Sequence, residues 1–330
     1  MKKIIILFAM ALMLNNLNAQ FSLTSPKDAQ KIKDATLVVA MEEEDAKTVK
    51  KLQKKDRRKL KHYKDQIKGR NKALKDAIEI SWTFSENIKY LPMSEAEDLV
   101  KSNKDKYVLL KFGEYIDYER YKTGLGRNGQ PAGWSADRNG NMTYNVSTRY
   151  SVLANVITTL EIGDPKSMIK VYLPTVYPSI SDAVFGLEQM QYILNYLISS
   201  PDHKITKIHK QIKENSLELK DLTLLVDKME VKKGLTEEEI KEVYPYKFEI
   251  VDAEVIDNAI LNKDPKYAYV SVVDVPGGKG NVSSHVIMGT GTGVLYRYLM
   301  PKVAFGIKGT SIITYNQRVK KNHFEKYIDE

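Results

Sequence analysis

Asn103-Lys-Asp-Lys-Tyr-Val-Leu-Leu-Lys-Phe112 and Asn262-Lys-Asp-Pro-Lys-Tyr-Ala-Tyr-Val-Ser-Val-Val273 are one phrase written twice. Each sets a polar Asn-Lys-Asp turn ahead of an apolar run of strand length, rich in β-branched and aromatic residues. On the amino side of both phrases lies a short helical pattern. The first carries a capping box, Ser94-Glu-Ala-Glu97, and the second runs from Asp252 through Ile256 and Ile260. Before these stand half-alternating runs, Asn87-Ile-Lys-Tyr-Leu91 and Tyr246-Lys-Phe-Glu-Ile-Val251. Earlier still come Asp34-Ala-Thr-Leu-Val-Val-Ala-Met41 and Asp221-Leu-Thr-Leu-Leu-Val-Asp-Lys-Met229.

On the carboxyl side, residues 150–162 and 285–298 read as matching strands. Asp164-Pro-Lys166 and Met300-Pro-Lys302 then punctuate alike, before a last strand and helix. Six such pairs in the same order imply a duplicated unit. The expected fold class is therefore α/β (α+β), with two tandem related domains. Each is a mixed β-sheet with packed helices, over residues 34–178 and 221–330.

Residues 179–220 are expected to form a helical bridge between the copies. Asp182 can cap a helix whose stripe is Ala183, Leu187, Met190, Leu194 and Leu197, widened by Val184, Ile193 and Ile198. Pro201 ends that helix, and a second capping box, Thr236-Glu-Glu-Glu239, opens a helix of the second copy.

The amino terminus reads as an export signal over residues 1–19. Lys2 and Lys3 precede the apolar run from Ile4 to Leu14, and Ala19 offers a small residue for cleavage. That run is short of the roughly 20 residues needed to span a bilayer. A periplasmic or secreted chain is expected, with residues 20–33 disordered and no transmembrane helix after cleavage. The chain has no cysteine, so disulfides, thiolate nucleophiles and cysteine-bound metal centres are excluded, and so is a lipid-anchored lipoprotein.

Charge is concentrated in one place. Residues 47–75 hold 14 Lys or Arg against Asp56 and Asp65, a balance of +12, which leaves about −5 for the rest of the chain after residue 19. Val49, Leu52, Leu60, Tyr63, Ile67 and Leu74 recur at helical spacing, so the segment is expected to be a long helix with a narrow apolar stripe, interrupted by Asp56, Gly69 and Arg70. Two readings stand. One is an arm in which Lys54, Lys55, Arg57, Arg58, Lys61 and Lys64 contact an anionic lipid, a glycolipid or an acidic envelope protein. The other is a solvated helix that keeps the chain soluble. Nucleic acid is set aside, because the chain reads as exported and its only aromatic there is Tyr63.

A glycine-rich loop, residues 123–143, carries Arg127, Trp134 and Arg138, which could contact a ligand or a protein. Its Gly124-Leu-Gly-Arg-Asn-Gly129 spells a dinucleotide fingerprint, but a strand rather than a helix is expected after it, so no nucleotide cofactor is inferred. Gly289-Thr-Gly-Thr-Gly293 lacks the Lys-Ser/Thr of a phosphate loop and reads as a bulge or a close backbone approach. The five histidines, at 62, 203, 209, 285 and 323, show no metal-ligand spacing. No cofactor, metal or catalytic residue is assigned.

In its Ala19-Gln20 junction and its Lys- and Tyr-rich composition, the chain resembles secreted proteins of Bacteroidota. Within one copy the element order is similar to small periplasmic α/β modules such as the TolB amino-terminal domain and the CsgG-like family. That resemblance implies a fold over about 80 residues per copy and transfers no functional residue. A non-catalytic cell-envelope binding or scaffold protein is therefore expected. The alternative is a periplasmic small-molecule binder or hydrolase with its site between the copies.

Overall fold

The computed structural model describes residues 25–123, 133–136, 142–145, 149–164, 167–276, 281–300, 303–305, 311–313 and 318–328. It holds two five-stranded mixed sheets with helices packed on them, the α+β architecture of two sheet-containing units. The first unit contains α1 (Pro26–Asp34), β1 (Thr36–Met41), α2 (Ala46–Lys55), α3 (Arg57–Ser81), β2 (Ile88–Pro92) and α4 (Met93–Ser102). It continues with β3 (Tyr107–Thr123), a small hairpin of β4 (Gly133–Ala136) and β5 (Met142–Asn145), β6 (Arg149–Asp164) and β7 (Ser167–Tyr172). Next come α5 (Ile180–Ile198) and α6 (Ile208–Asn215), then β8 (Thr223–Asp227), α7 (Glu237–Lys241), β9 (Phe248–Val251) and α8 (Ala253–Leu261). The chain closes with β10 (Tyr267–Pro276), β11 (Asn281–Gly289), β12 (Leu295–Leu299), the short pair β13 (Val303–Phe305) and β14 (Ser311–Ile313), and α9 (Lys321–Ile328).

The sheet orders are β2-β1-β3-β6-β7 and β9-β8-β10-β11-β12. In both, the first three strands are parallel and the last two are added antiparallel. Strand order and directions therefore agree position by position. One expected pairing is corrected. Residues 285–298 are not one strand but β11 and β12, separated by the turn around Gly291, so β12 is the counterpart of β7 and the Met300 match is coincidental. A Cβ on Gly291 would lie 2.7 Å from the Lys263 carbonyl oxygen, which is why that turn needs glycine.

Three buried clusters show how the units stack. Leu37 and Val39 of β1 face the main core, while Val38 and Ala40 face a small outer core under α4. Likewise Leu225 of β8 faces the main core, and Leu224 and Val226 face an outer core with Tyr244, Phe324 and Tyr327. The main core takes in α5, with α1 and α3 from the first unit and α8 from the second. The helix joining the first two strands thus lies inside in the first unit (α3) and outside in the second (α7). The helix joining the next pair is reversed: α4 lies outside and α8 inside. Equivalent faces point the same way, so the units are stacked head to tail around one shared core.

Within residues 179–220 the helix α5 lies between the two sheets, as the wide apolar stripe implies, and forms the buried centre of their shared core, with Phe185, Leu187, Met190 and Leu194 almost inaccessible. Gly186 lets it close on the first sheet, since a Cβ there would come 2.8 Å from a Leu173 methyl. Its cap is Ser179 rather than Asp182, which serves as the third residue of a reciprocal capping box. The Thr236–Glu239 box forms as read. The Ser94 box does not. Met93 opens α4, and the carboxylate on the Ser94 N–H belongs to Glu43, 2.8 Å away.

Two further expectations are corrected. Residues 26–33, expected within a disordered segment, form α1 together with Asp34, because Ser25 caps it, Pro26 suits its first turn, and Ala29 and Ile32 are buried. The basic segment is not one helix. Asp56 is extended (φ −161°, ψ 101°), and its carboxylate accepts the N–H groups of Arg58 and Lys59 at 3.0 and 3.2 Å to start α3. The helix α2 folds back on α3, where the Asp45 N–H donates to Tyr63 Oη at 2.8 Å and Lys64 pairs with Glu44 at 2.7 Å. Replacing Asp56 by alanine removes the cap and favours a continuous helix. The expected cost is about 1 kcal/mol of stability with a gain in helical circular dichroism, and an unchanged urea midpoint would contradict this.

Candidate functional site

In α2 and the first three turns of α3 the apolar side chains Val49, Leu52, Leu60, Tyr63 and Ile67 are half-buried, whereas every Lys and Arg from Lys47 to Lys68 is exposed. Lys59 and Lys61 reach acids on their own helix at 4.0 and 3.9 Å, and Lys64 meets Glu44. Lys47, Lys50, Lys51, Lys54, Lys55, Arg57, Arg58 and Lys68 form no ion pair among the described residues. The structure thus gathers the six predicted contact residues on one helical hairpin. Of the loop residues, Trp134 lies on β4, and Arg127 and Arg138 lie outside the described residues.

At the base of the hairpin the sign of the charge reverses. The loop after β1 leads to the inner face of the first sheet and the loop after β2 to the outer face. A crevice therefore opens at their carboxyl ends, the usual place for a ligand in an open α/β sheet. It has a volume of about 630 Å³, and Glu42, Glu43, Glu97 and Glu114 line it beside Arg70. Of the acidic run Glu42 to Asp45, only Glu42 is drawn in; Glu43, Glu44 and Asp45 are exposed. Arg70 does interrupt the apolar stripe of α3, as a buried cation. Arg70, with 9% of its side chain exposed, bridges Glu42 at 2.8 Å and Glu114 at 2.9 Å and lies 5.2 Å over the Phe112 ring. Burial lifts the Glu42 carboxyl above its ordinary range, against the pull of Arg70. The Ser94 N–H holds Glu43 below it.

The equivalent crevice of the second unit lies at the ends of β8 and β9 and is closed by the segment leading into α5. It measures about 340 Å³, with Asp182, Asp227, Glu230 and Asp257 in its lining. Tyr177 borders both crevices and the groove that joins them along Arg70, Lys72 and Ser181. A hydrogen-bond chain crosses the junction. Thr175 Oγ1 donates to Asp182 at 2.8 Å, Ser179 and Ser181 hydroxyls meet at 2.9 Å, and Ser181 Oγ donates to Asp257.

Among the described residues no three His, Cys, Asp or Glu side chains converge closely enough to hold a metal ion, and no helix is long and apolar enough to cross a membrane. The fold and these sites define an α+β protein with two stacked mixed sheets, a cationic helical hairpin and an acidic cleft beside it. Compared with protein-family models, with curated proteins and with solved structures, the chain matches none of them.

Sequence spacing also concealed a histidine pair. His285 and His323, 38 residues apart, meet edge to face at 4.4 Å beneath α9, with His285 Nδ1 2.7 Å from Tyr327 Oη. His323 is 2% exposed. Burial, then His285, Lys326 and Lys320, push its imidazole down to about 3. A folded-state value below the free value of 6.5 stabilises the fold fully above pH 6.5, and that stability drains away as pH falls toward 3. From this residue alone the loss is about 2 kcal/mol by pH 5. Urea unfolding of the protein and of His323→Asn at pH 7 and pH 5 tests this: the variant should lose less, and parallel losses would refute it.

Proposed function

We propose that this is an exported, non-catalytic binding or scaffold protein of the cell envelope, which attaches to an anionic lipid or glycolipid surface through its α2–α3 hairpin. On this reading residues 1–19 direct export to the periplasm or beyond, and the two units descend from one duplicated module. The observation that carries the reading is the sorting of the hairpin: its apolar side chains turn inward, and eight of its cations stand exposed without an ion pair among the described residues. Cations exposed in this way can meet an anionic partner surface.

Flotation with vesicles rich in phosphatidylglycerol, against vesicles of phosphatidylcholine, tests the proposal. Binding is expected only to the anionic vesicles, and it should fall steeply as salt shortens the Debye length from about 10 Å to a few ångströms. Equal binding to both vesicles, or binding indifferent to salt, would overturn it.

A further inference from the structure

The junction cavity has a composition that the hairpin does not explain. Four carboxylates, Asp182, Asp227, Glu230 and Asp257, line it with no lysine, arginine or histidine in the lining, Arg318 outside it offsetting Glu230 in part, while Phe185, Ile256 and Ile260 supply apolar wall. Carboxylates brought together at a partly buried surface call for a counter-charge. A second observation is independent of these acids. Tyr269, 2% exposed, lines the same cavity, and its hydroxyl has no hydrogen-bond partner among the described residues. Its ring packs edge-on against Phe185 at 6.4 Å. Burial, and then the negative charges of Glu188, Asp182 and Asp257, keep the proton on its oxygen. Buried tyrosine hydroxyls normally find a partner within the fold. This one is left for something the cavity receives.

We propose that the cavity between the two units binds an organic cation: an ammonium or guanidinium head, held by Asp257, Asp182 and the Tyr269 hydroxyl, on an apolar stem lying against Phe185 and Ile256. The spread of the carboxylates favours an extended cation over a compact one, since no three acids meet at a metal-binding distance among the described residues. A volume of about 340 Å³ suits a small amine or a single basic side chain. The site does not depend on the hairpin's role. Protonation adds a signature. Burial raises the Asp182 and Glu230 carboxyls above their ordinary range, so a bound cation expels protons and binds more tightly as pH rises.

Titration calorimetry of the purified protein with n-hexylamine, n-hexanol, magnesium chloride and N-acetyl-lysine methylamide tests the proposal. Hexylamine should bind at one saturable site at least about tenfold more tightly than hexanol. Asp257→Asn and Tyr269→Phe should each weaken it about fivefold to tenfold, while Tyr269→Phe leaves the melting temperature unchanged or raises it. Binding of the blocked lysine as well would identify a peptide side chain as an admissible source of the cation, and binding of hexylamine alone a free amine; both support the site. Four results would overturn it: no saturable amine binding, equal binding of hexanol, displacement of the amine by magnesium at equal concentration, or a Tyr269→Phe protein that melts lower and binds as before.

Discussion

Replacing Lys54, Lys55, Arg57, Arg58, Lys61 and Lys64 together by glutamine should leave a folded protein that has lost at least about a hundredfold in affinity for anionic vesicles. A lysine or arginine near an anionic surface contributes about 1 kcal/mol, so six of them set an upper limit of roughly 6 kcal/mol, reduced by salt. Folding is spared because these side chains are exposed. The ion pairs lost are surface ones, Lys61 with Asp65 and Lys64 with Glu44, of the kind that contributes roughly 0 to 1 kcal/mol each. Dipole effects offset one another as well. Lys54 and Lys55 favour the last turn of α2, while Arg57 and Arg58 oppose the first turn of α3. The control is a variant losing six exposed lysines elsewhere, at 207, 210, 213, 220, 232 and 233. It should bind nearly as the parent does. If both variants lose affinity equally, net charge and not the hairpin accounts for binding.

Glu188→Gln is expected to stabilise the protein, increasingly so toward alkaline pH. Glu188 sits on α5 at the centre of the shared core, 7% exposed, against Gly293 of the β11–β12 turn. One of its carboxyl oxygens is buried without a hydrogen-bond partner among the described residues. Burial lifts this carboxyl to about 8, with Lys263 only partly opposing. Because the folded-state value lies above the free value of 4.5, the contribution to stability is fully present below pH 4.5 and is lost as pH rises through 8. By pH 9 the ceiling on that loss is roughly 5 kcal/mol. Glutamine keeps the shape, cannot ionise, and still leaves an amide imperfectly paired. The expected gain is therefore about 2–3 kcal/mol at pH 9 and near zero at pH 4.5. Urea unfolding of both proteins across that range is decisive: the variant's midpoint should pull progressively ahead of the parent's as pH rises, the parent's falling above pH 6.5 where His323 no longer titrates, and parallel curves would refute the assignment.

A buried acid at the heart of α5 could not be recognised from its neighbours in sequence. The periodicity around Leu187, Met190 and Leu194 marks a buried helix, and Glu188 lies beside that stripe where a helix in a single domain would meet solvent. Only the head-to-tail stacking, which sets the second unit's turn against this flank, covers it. Arg70 follows the same logic. In sequence it reads only as an interruption of the apolar stripe, and it is buried because Glu42, just past β1, and Glu114 of β3 arrive from distant parts of the chain. The capping residues at Ser94 and Asp182 failed for a smaller reason. Several polar residues stand within one turn, and Glu43, far along the chain, took over the Ser94 N–H.

Local order, by contrast, is written in the chain. Strand runs, the helix stripe of α5, the repeated order of elements and the cationic stretch all depend on residues within a turn or a few residues of one another, and period and charge density survive whatever the fold does with them. The acids of the junction cavity, the Tyr269 hydroxyl beside them and the His285–His323 pair come from positions tens of residues apart. Strand pairing and the direction in which the two units stack brought them together, and those are settled by which apolar faces bury most completely against each other. The sequence alone determined two mixed sheets and a basic helical segment; the tertiary structure decided that the sheets share one core, that the basic segment is a hairpin, and that an acidic cleft opens at its foot.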